Sequence, residues 1–173
     1  EYIGIDMQEG EGVDAVVDMT ADFERVSSAL GNRVFGAILC MSVLEHCTEP
    51  FRLCANISRL LRPGGVLLVS APFAWRVHGY PSDYWRFTPD GIRALFTDLS
   101  FDMTLSSMST SVVGEVAPIA PSVFRIEMPQ HGNLFVRVLL YLLAKCGHGK
   151  FKQCMRYPYL FPPAMMNMHA TKP

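Results

Sequence analysis

The sequence predicts one α/β domain with a mostly parallel sheet and helices on both faces. Three observations predict it. Short apolar runs recur, each closed by a polar residue, as strands do where they end in loops. Residues 35–70 read as strand, helix and strand with a short return, the βαβ unit that joins parallel strands. Phe35 to Met41 is nearly continuous in its apolarity, as a strand covered on both faces requires. At 173 residues, half of them apolar, the chain suffices for one packed domain and is short for two.

The elements follow in order. Tyr2 to Ile5 is a short buried strand closed by Asp6 and a Gln-Glu-Gly-Glu-Gly loop, and Val13 to Val17, closed by Asp18, repeats the pattern. Asp22 to Leu30 is a short helix stopped by Gly31-Asn32. After the strand at Phe35, Thr48 is a candidate N-cap, Pro50 sits in the first turn, and Phe51, Cys54, Ile57 and Leu61 recur at helical spacing. Arg62-Pro63-Gly64-Gly65 ends that helix, because Pro63 lacks an N–H and the glycines free the backbone to reverse. Val66 to Ser70 is the next strand. Ala71 to Phe87 is a long aromatic loop, and Thr88-Pro89-Asp90-Gly91 starts a helix carrying Ile92, Leu95 and Phe96 on one face. Phe101 to Leu105 is one more strand. Ser106 to Pro121, rich in Ser, Thr and Pro, reads as a connection or insertion, and Leu134 to Ala144 as an apolar helix too short to span a bilayer.

Charge divides the chain unevenly. Residues 1–127 hold nine arginines, no lysine and all sixteen acidic residues, while residues 128–173 hold six basic residues and no acid. The net charge of −1 excludes binding to nucleic acid by bulk electrostatics. The five cysteines are an odd number, and Cys40, Cys47 and Cys54 lie in apolar periodic stretches, which favours a reduced, intracellular setting. Cys146, His148 and Cys154 lack a C-x-x-C pair and a fourth ligand, so no metal is expected. No signal peptide is visible at the start, Glu-Tyr-Ile-Gly-Ile-Asp, which shows neither a basic n-region nor a long apolar h-region. The chain also begins inside a strand-like run without Met, which suggests that residues once preceded it.

In open α/β sheets the ligand crevice lies outside the carboxyl ends of the strands. Here those ends are Asp6-Met7, Asp18-Met19, Met41-Ser42 and Ser70 to Phe73. A carboxylate after such a strand can accept both hydroxyl protons of a ribose, which suits Asp6; the alternative is that Asp6 caps a turn.

The runs Y-I-G-I-D at 2–6, D-A-V-V-D-M-T at 14–20, F-G-A-I-L-C-M-S-V-L-E-H-C at 35–47 and I-S-R-L-L-R-P-G-G-V-L-L-V-S-A-P at 57–72 together resemble class I S-adenosylmethionine-dependent methyltransferases of the small-molecule, type 11-like kind. The resemblance spans about residues 2–100. Its most specific pieces are V-L-E-H, then the helix ending R-P-G-G, then the next strand. It implies a Rossmann-like sheet and S-adenosylmethionine as the cofactor. Asp6 then matches the acidic residue on the adenosine ribose, with Met7 beside the adenine. Asp18 matches the position facing the adenine amino group, Met19 packs on the ring, and Met41 and Ser42 lie beside the sulfonium. For the methionines, packing in the core is the other reading.

Glu45 and His46 fall in the triplet that supports the pocket wall in this family; His46 is also a weak candidate for general base. The loop at 73–88 overhangs the acceptor side. Its aromatics either pin it or touch the acceptor: Trp85 and Phe87 suit packing, and His78, Tyr80 and Tyr84 suit contact with the substrate. The chain departs from the family at its front, where the first strand and the glycine-rich turn that approaches the cofactor's methionine end are absent. Gly10 and Gly12 come too late to replace them, so weak or no cofactor binding is expected from these residues unless the missing part is supplied.

Residues 1–127 are thus expected to form a partial methyltransferase domain and 128–173 a basic, apolar extension that is not a separate domain. Lys145, Lys150, Lys152 and Arg156 beside an apolar helix suit either packing in the domain or an oligomer interface, or contact with an anionic membrane surface. The expected activity is methyl transfer to a small-molecule acceptor in the cytoplasm, with a membrane-peripheral position as the alternative. A degenerate fold acting as a non-catalytic binding module is the second reading. A nicotinamide-dependent oxidoreductase shares the ribose carboxylate but leaves V-L-E-H and R-P-G-G unexplained.

Overall fold

The apolar run at Phe35 forms a strand over the residues its sequence marks, and the sheet grows outward from it. The structure is a computed structural model that describes residues 2–79, 82–109, 115–119 and 164–173. Its elements are β1 (Ile5–Asp6), β2 (Ala15–Val16), α1 (Phe23–Ala29), β3 (Phe35–Met41), a 3₁₀ turn (Leu44–His46), α2 (Pro50–Leu60), β4 (Leu61–Ala74), α3 (Pro89–Leu95), β5 (Ser100–Ser109), β6 (Val116–Pro118) and β7 (Ala164–Thr171). The described residues form one unit, Glu1–Ile119 with Pro163–Pro173. Mixed α/β architecture with a central sheet flanked by helices is therefore what this sequence builds.

The order of the five-stranded sheet is β3-β4-β7-β5-β6. β3 and β4 are parallel, as the βαβ reading requires, and β7 runs antiparallel to both β4 and β5. β3, β4 and β5 therefore share one direction. β1 and β2 pair in parallel as a separate two-stranded sheet. A shared core joins that pair to the rest: Val17, Val26, Leu30 and Leu60 are buried together, with Ile5, Met19, Phe23, Phe35 and Ile38 packed against them.

One face of the main sheet is closed by matched rows. Cys40, Val69 and Met168 are neighbours in register, as are Leu67 and Ala170, and all are buried. Leu39 and Leu68, paired on the opposite face, are exposed. Helix α2 touches α1, α3 and β4. Its buried stripe is Leu53, Cys54, Ile57 and Leu60. Phe51, which its spacing places with Cys54 and Ile57, is instead exposed, because it projects more than a quarter-turn from the centre of that stripe. The cap also differs from expectation: Glu49, not Thr48, precedes the helix, without a side-chain bond, and Pro50 opens it. At α3 the expected cap holds, with the Thr88 hydroxyl accepting from Gly91 N at 3.0 Å.

Several boundaries move. Tyr2, expected inside the first strand, is exposed, because the start of the chain is used to hold a loop: Gly4 O accepts from Asp14 N and Ala15 N, and Gly4 N donates to Asp14 Oδ2. A Cβ at Gly4 would lie 1.8 Å from the Gly12 carbonyl oxygen, so only glycine fits this approach. β4 runs through the expected stop at Pro63 by way of a bulge between its pairings with Phe35 and Ala37, with Gly64 at φ +71°. Ser106 to Ser109, assigned to a connection, extends β5, and Val116–Pro118 pairs with it as β6.

Within the basic extension, residues 164–171 form a strand where the sequence offered only a helix: β7 is inserted between β4 and β5, where Met166, Met168 and Ala170 face the core. Lys172 follows it into a structural role: its Nζ donates to Ser58 O and Leu61 O, both at 2.8 Å, and satisfies the carbonyl end of α2. The remainder of the extension, with the helix expected at Leu134 to Ala144, Lys145, Cys146, His148, Lys150, Lys152, Cys154 and Arg156, lies outside the described residues. Among the described residues no helix is long and apolar enough to cross a membrane.

Candidate active site

Parallel pairing brings the carboxyl ends of β1 and β2 side by side. Ile5 pairs with Ala15 and Asp6 with Val16, and Val17 N donates to Asp6 O at 2.8 Å. Asp6 and Asp18 therefore leave neighbouring strands at the same end of the pair. Both are exposed. Asp6 Oδ1 accepts from Gln8 N at 2.9 Å, so it does cap a turn. Its Oδ2 takes no hydrogen bond from the described residues, so one oxygen stays available to a hydroxyl donor. Asp18 Oδ1 accepts from both Thr20 Oγ1 and Thr20 N, which hold its carboxyl below the usual range and keep it anionic.

The methionines separate. Met7 and Met41 are exposed, free to face a ligand. Met19 is half-buried against the Val17, Val26 and Leu30 core, which is the packing reading of that residue. The backbone at Met19 is fixed from α2: the buried Asn56 side chain donates through Nδ2 to Met19 O and Ala21 O, both at 2.8 Å. Asn56 was not legible as a site residue, since an Asn on an apolar helix face announces no partner.

At the end of β3, Ser42 adopts φ +54° with its N–H donating to Ser70 O at 2.9 Å. A left-handed conformation is costly for a serine, and such residues persist where surrounding structure holds them, often beside a site. The 3₁₀ turn follows at once and carries Glu45 and His46. Glu45 is 1% exposed, with no hydrogen bond to Oε2 among the described residues.

The aromatic loop after β4 is fastened to that turn. Tyr84 N donates to Glu45 O at 2.8 Å, Trp85 Nε1 to Cys47 O at 2.7 Å, and His46 Nδ1 lies 2.7 Å from Ser82 O. Phe87 is buried and its N–H donates to Pro72 O. Within the loop, Arg86 binds both oxygens of Asp83 and donates to the carbonyls of Trp75, Arg76 and Trp85. Arg86 and Asp83, whose i,i+3 spacing was the available sequence signal, thus hold the loop's shape. Trp85 and Phe87 do pin it. His46 is engaged in fastening the loop. Tyr84 is half exposed, and His78 lies with Nδ1 3.2 Å from Asp83 Oδ2. Tyr80 lies outside the described residues.

Comparison with known proteins gives this arrangement a context. Residues 4–69 match the methyltransferase domain family, and no curated protein matches the chain. A S-adenosylmethionine-dependent methyltransferase from Archaeoglobus fulgidus shares the fold at a TM-score of 0.53 and 14% identity, over 98% of this chain and 75% of that one. The [4+2]-cyclase SpnF aligns at a TM-score of 0.47 and 16% identity, over 94% of this chain and 57% of its own. The methyltransferase in complex with the Haloferax volcanii Trm112 activator aligns at 0.41 and 14%, over 81% and 54%. The chain thus spans little more than half the length of the latter two. Residues 4–69 are thus similar to the methyltransferase domain family, and the described chain has a fold like that of an S-adenosylmethionine-dependent methyltransferase.

Proposed function

We propose that the chain binds S-adenosylmethionine across the carboxyl ends of β1, β2 and β3 and directs its methyl group to a small-molecule acceptor beneath the 75–87 loop. The observation that carries this reading is the pair of exposed carboxylates, Asp6 and Asp18, at adjacent parallel strand ends. Asp6 accepts from the ribose hydroxyls, and Asp18, held anionic by Thr20, accepts from the adenine amino group. Asn56 sets the Met19 backbone so that this end of β2 stays in place. Met41 and Ser42 lie beside the reacting centre. The cofactor supplies a methyl group on a sulfonium with a neutral leaving group, so positioning contributes more than acid chemistry. The loop's share is to orient the acceptor and exclude water, with Tyr84 and His78 as the described residues that would contact it.

Calorimetric titration of S-adenosylhomocysteine onto the chain tests this. Weak binding is expected, stronger in a version extended upstream, and Asp6→Ala in that version is expected to weaken it by at least about tenfold, the scale of a lost hydrogen bond to a charged group. Unchanged affinity would remove the ribose assignment. A second reading, a non-catalytic binding module on the same fold, is favoured by one observation: among the described residues no hydrogen bond joins β1 or β2 to β3, so the sheet is interrupted beside the site. No binding at millimolar ligand would select that reading.

A further inference from the structure

We propose that Glu45, His46 and His78 form a site for a divalent transition-metal ion, best matched to Zn²⁺, over the carboxyl end of β3. This goes beyond methyl transfer and does not rest on it. One ligand atom from each residue lies within 4.8 Å of the other two, although His78 is 32 positions along the chain from His46. The His46 and His78 rings meet edge to face with centroids 5.0 Å apart.

Three features mark the cluster as built for an ion. The Glu45 side chain is 1% exposed and its Oε2 has no hydrogen-bond partner among the described residues, an arrangement that is costly unless something occupies the space before it. Its other oxygen is 4.0 Å from His46 Nε2, too far for a hydrogen bond to settle the pair. Both imidazoles are also oriented from behind. His46 Nδ1 is 2.7 Å from Ser82 O, and His78 Nδ1 is 3.4 Å from Arg76 O with Asp83 Oδ2 at 3.2 Å, so each ring has an oxygen acceptor for its Nδ1–H. That tautomer leaves a lone pair on Nε2 of each ring. A carbonyl or carboxylate behind each ring is the outer support that metal-bound histidines have. Asp83 is itself clamped by Arg86, which also balances charge near Glu45.

Two imidazole nitrogens with one carboxylate oxygen suit Zn²⁺ and its transition-metal neighbours rather than Mg²⁺ or Ca²⁺, which take oxygen ligands. Bonds of about 2.1 Å place tetrahedral donors about 3.4 Å apart, so the three groups need to close by about 1 Å or less each. Three protein ligands leave a fourth position open to water or to a ligand in the crevice.

The test is calorimetric titration of Zn²⁺ onto the chelator-treated chain, repeated with Co²⁺ to read the strong visible absorption of a tetrahedral site. The parent is expected to bind. His78→Ala, a substitution at a side chain one-third exposed, is expected to lower Zn²⁺ affinity by at least about tenfold and remove the Co²⁺ band, with the melting temperature of the metal-free protein little changed. His46→Ala is expected to lose the Co²⁺ band as well, and circular dichroism of both metal-free variants guards against a folding defect. No Zn²⁺ binding by the parent, or equal binding by the parent and both variants, would overturn the site; the latter would place the ion elsewhere on the chain.

Discussion

Asp83 accepts both terminal guanidinium nitrogens of Arg86, and its Oδ2 also accepts the backbone N–H of His78 at 2.9 Å. The Arg86 hydrogen bonds, then the His78 N–H, hold the Asp83 carboxyl well below the usual carboxylate range. A depressed folded value means that the unfolded chain takes up the proton first as pH falls. The stabilisation is therefore complete above the ordinary value of 3.8 and is lost below it, down through the folded value. Asp83→Asn is expected to melt lower than the parent at pH 7 and to converge with it in strong acid. Melting curves across that range check this; a constant difference would show that Asp83 does not titrate with folding. Asp18 and Asp102, lowered by Thr20 and Thr104, leave a residual acid slope in the variant.

Much of the fold was legible because its signals are local. Phe35 to Met41 and the α2 stripe declare themselves within one window, and Thr88-Pro89 caps a helix wherever it stands. β7 was not, because Met165-Met166-Asn167-Met168 has little strand propensity and its partners lie about 60 and 100 residues earlier along the chain. The candidate site divides the same way. Asp6 and Asp18 follow apolar runs and could be read directly. The facing of Glu45 and His46 by His78 depends on how the 75–87 loop folds back, and that rests on Trp85, Arg86 and Asp83 acting together.

Asn56→Ala joins stability to the cofactor end of β2. The substitution removes both donors to Met19 O and Ala21 O in a buried setting, which costs about 1–3 kcal/mol. Chemical denaturation measures that loss. The same variant is expected to bind S-adenosylhomocysteine more weakly than the parent, because the chain at Asp18 loses its tether; equal affinity would confine Asn56 to stability.

Ser42→Gly tests whether the φ of +54° is held at a cost. Glycine enters that region freely but gives up more entropy on folding, so a gain of up to about 1 kcal/mol is expected. A loss of stability would mean that the serine side chain contributes more than its backbone conformation costs.

Lys172→Ala removes a cation that satisfies the last carbonyls of α2, and a loss of about 1–2 kcal/mol is expected. Lys172→Arg is expected to recover only part of it, since a planar fork meets two carbonyls three residues apart at the helix end less well than a rotatable ammonium. Equal stability of the parent and the alanine variant, measured by denaturation, would show that water satisfies those carbonyls as effectively.

The cysteines offer a probe of the core that needs no substitution. Burial, with the Glu45 charge adding to it, pushes the Cys40 thiol up to about 12, and burial also raises Cys54. Only the thiolate attacks an alkylating reagent, so at about pH 8 both residues lack the reactive form as well as access. Cys40 pairs with Val69 near the carboxyl end of the β3–β4 ladder, and Cys54 lies in the buried stripe of α2. Their protection therefore reports the contact between that sheet and its helix. Iodoacetamide followed by mass mapping is expected to leave Cys40 and Cys54 unmodified in the native protein and to label both in urea. Cys47, buried but raised less far, is expected to label between these extremes. Rapid native labelling of Cys40 would mean that the sheet and α2 separate readily, and the β3 end of the proposed cofactor site would then lack a fixed support.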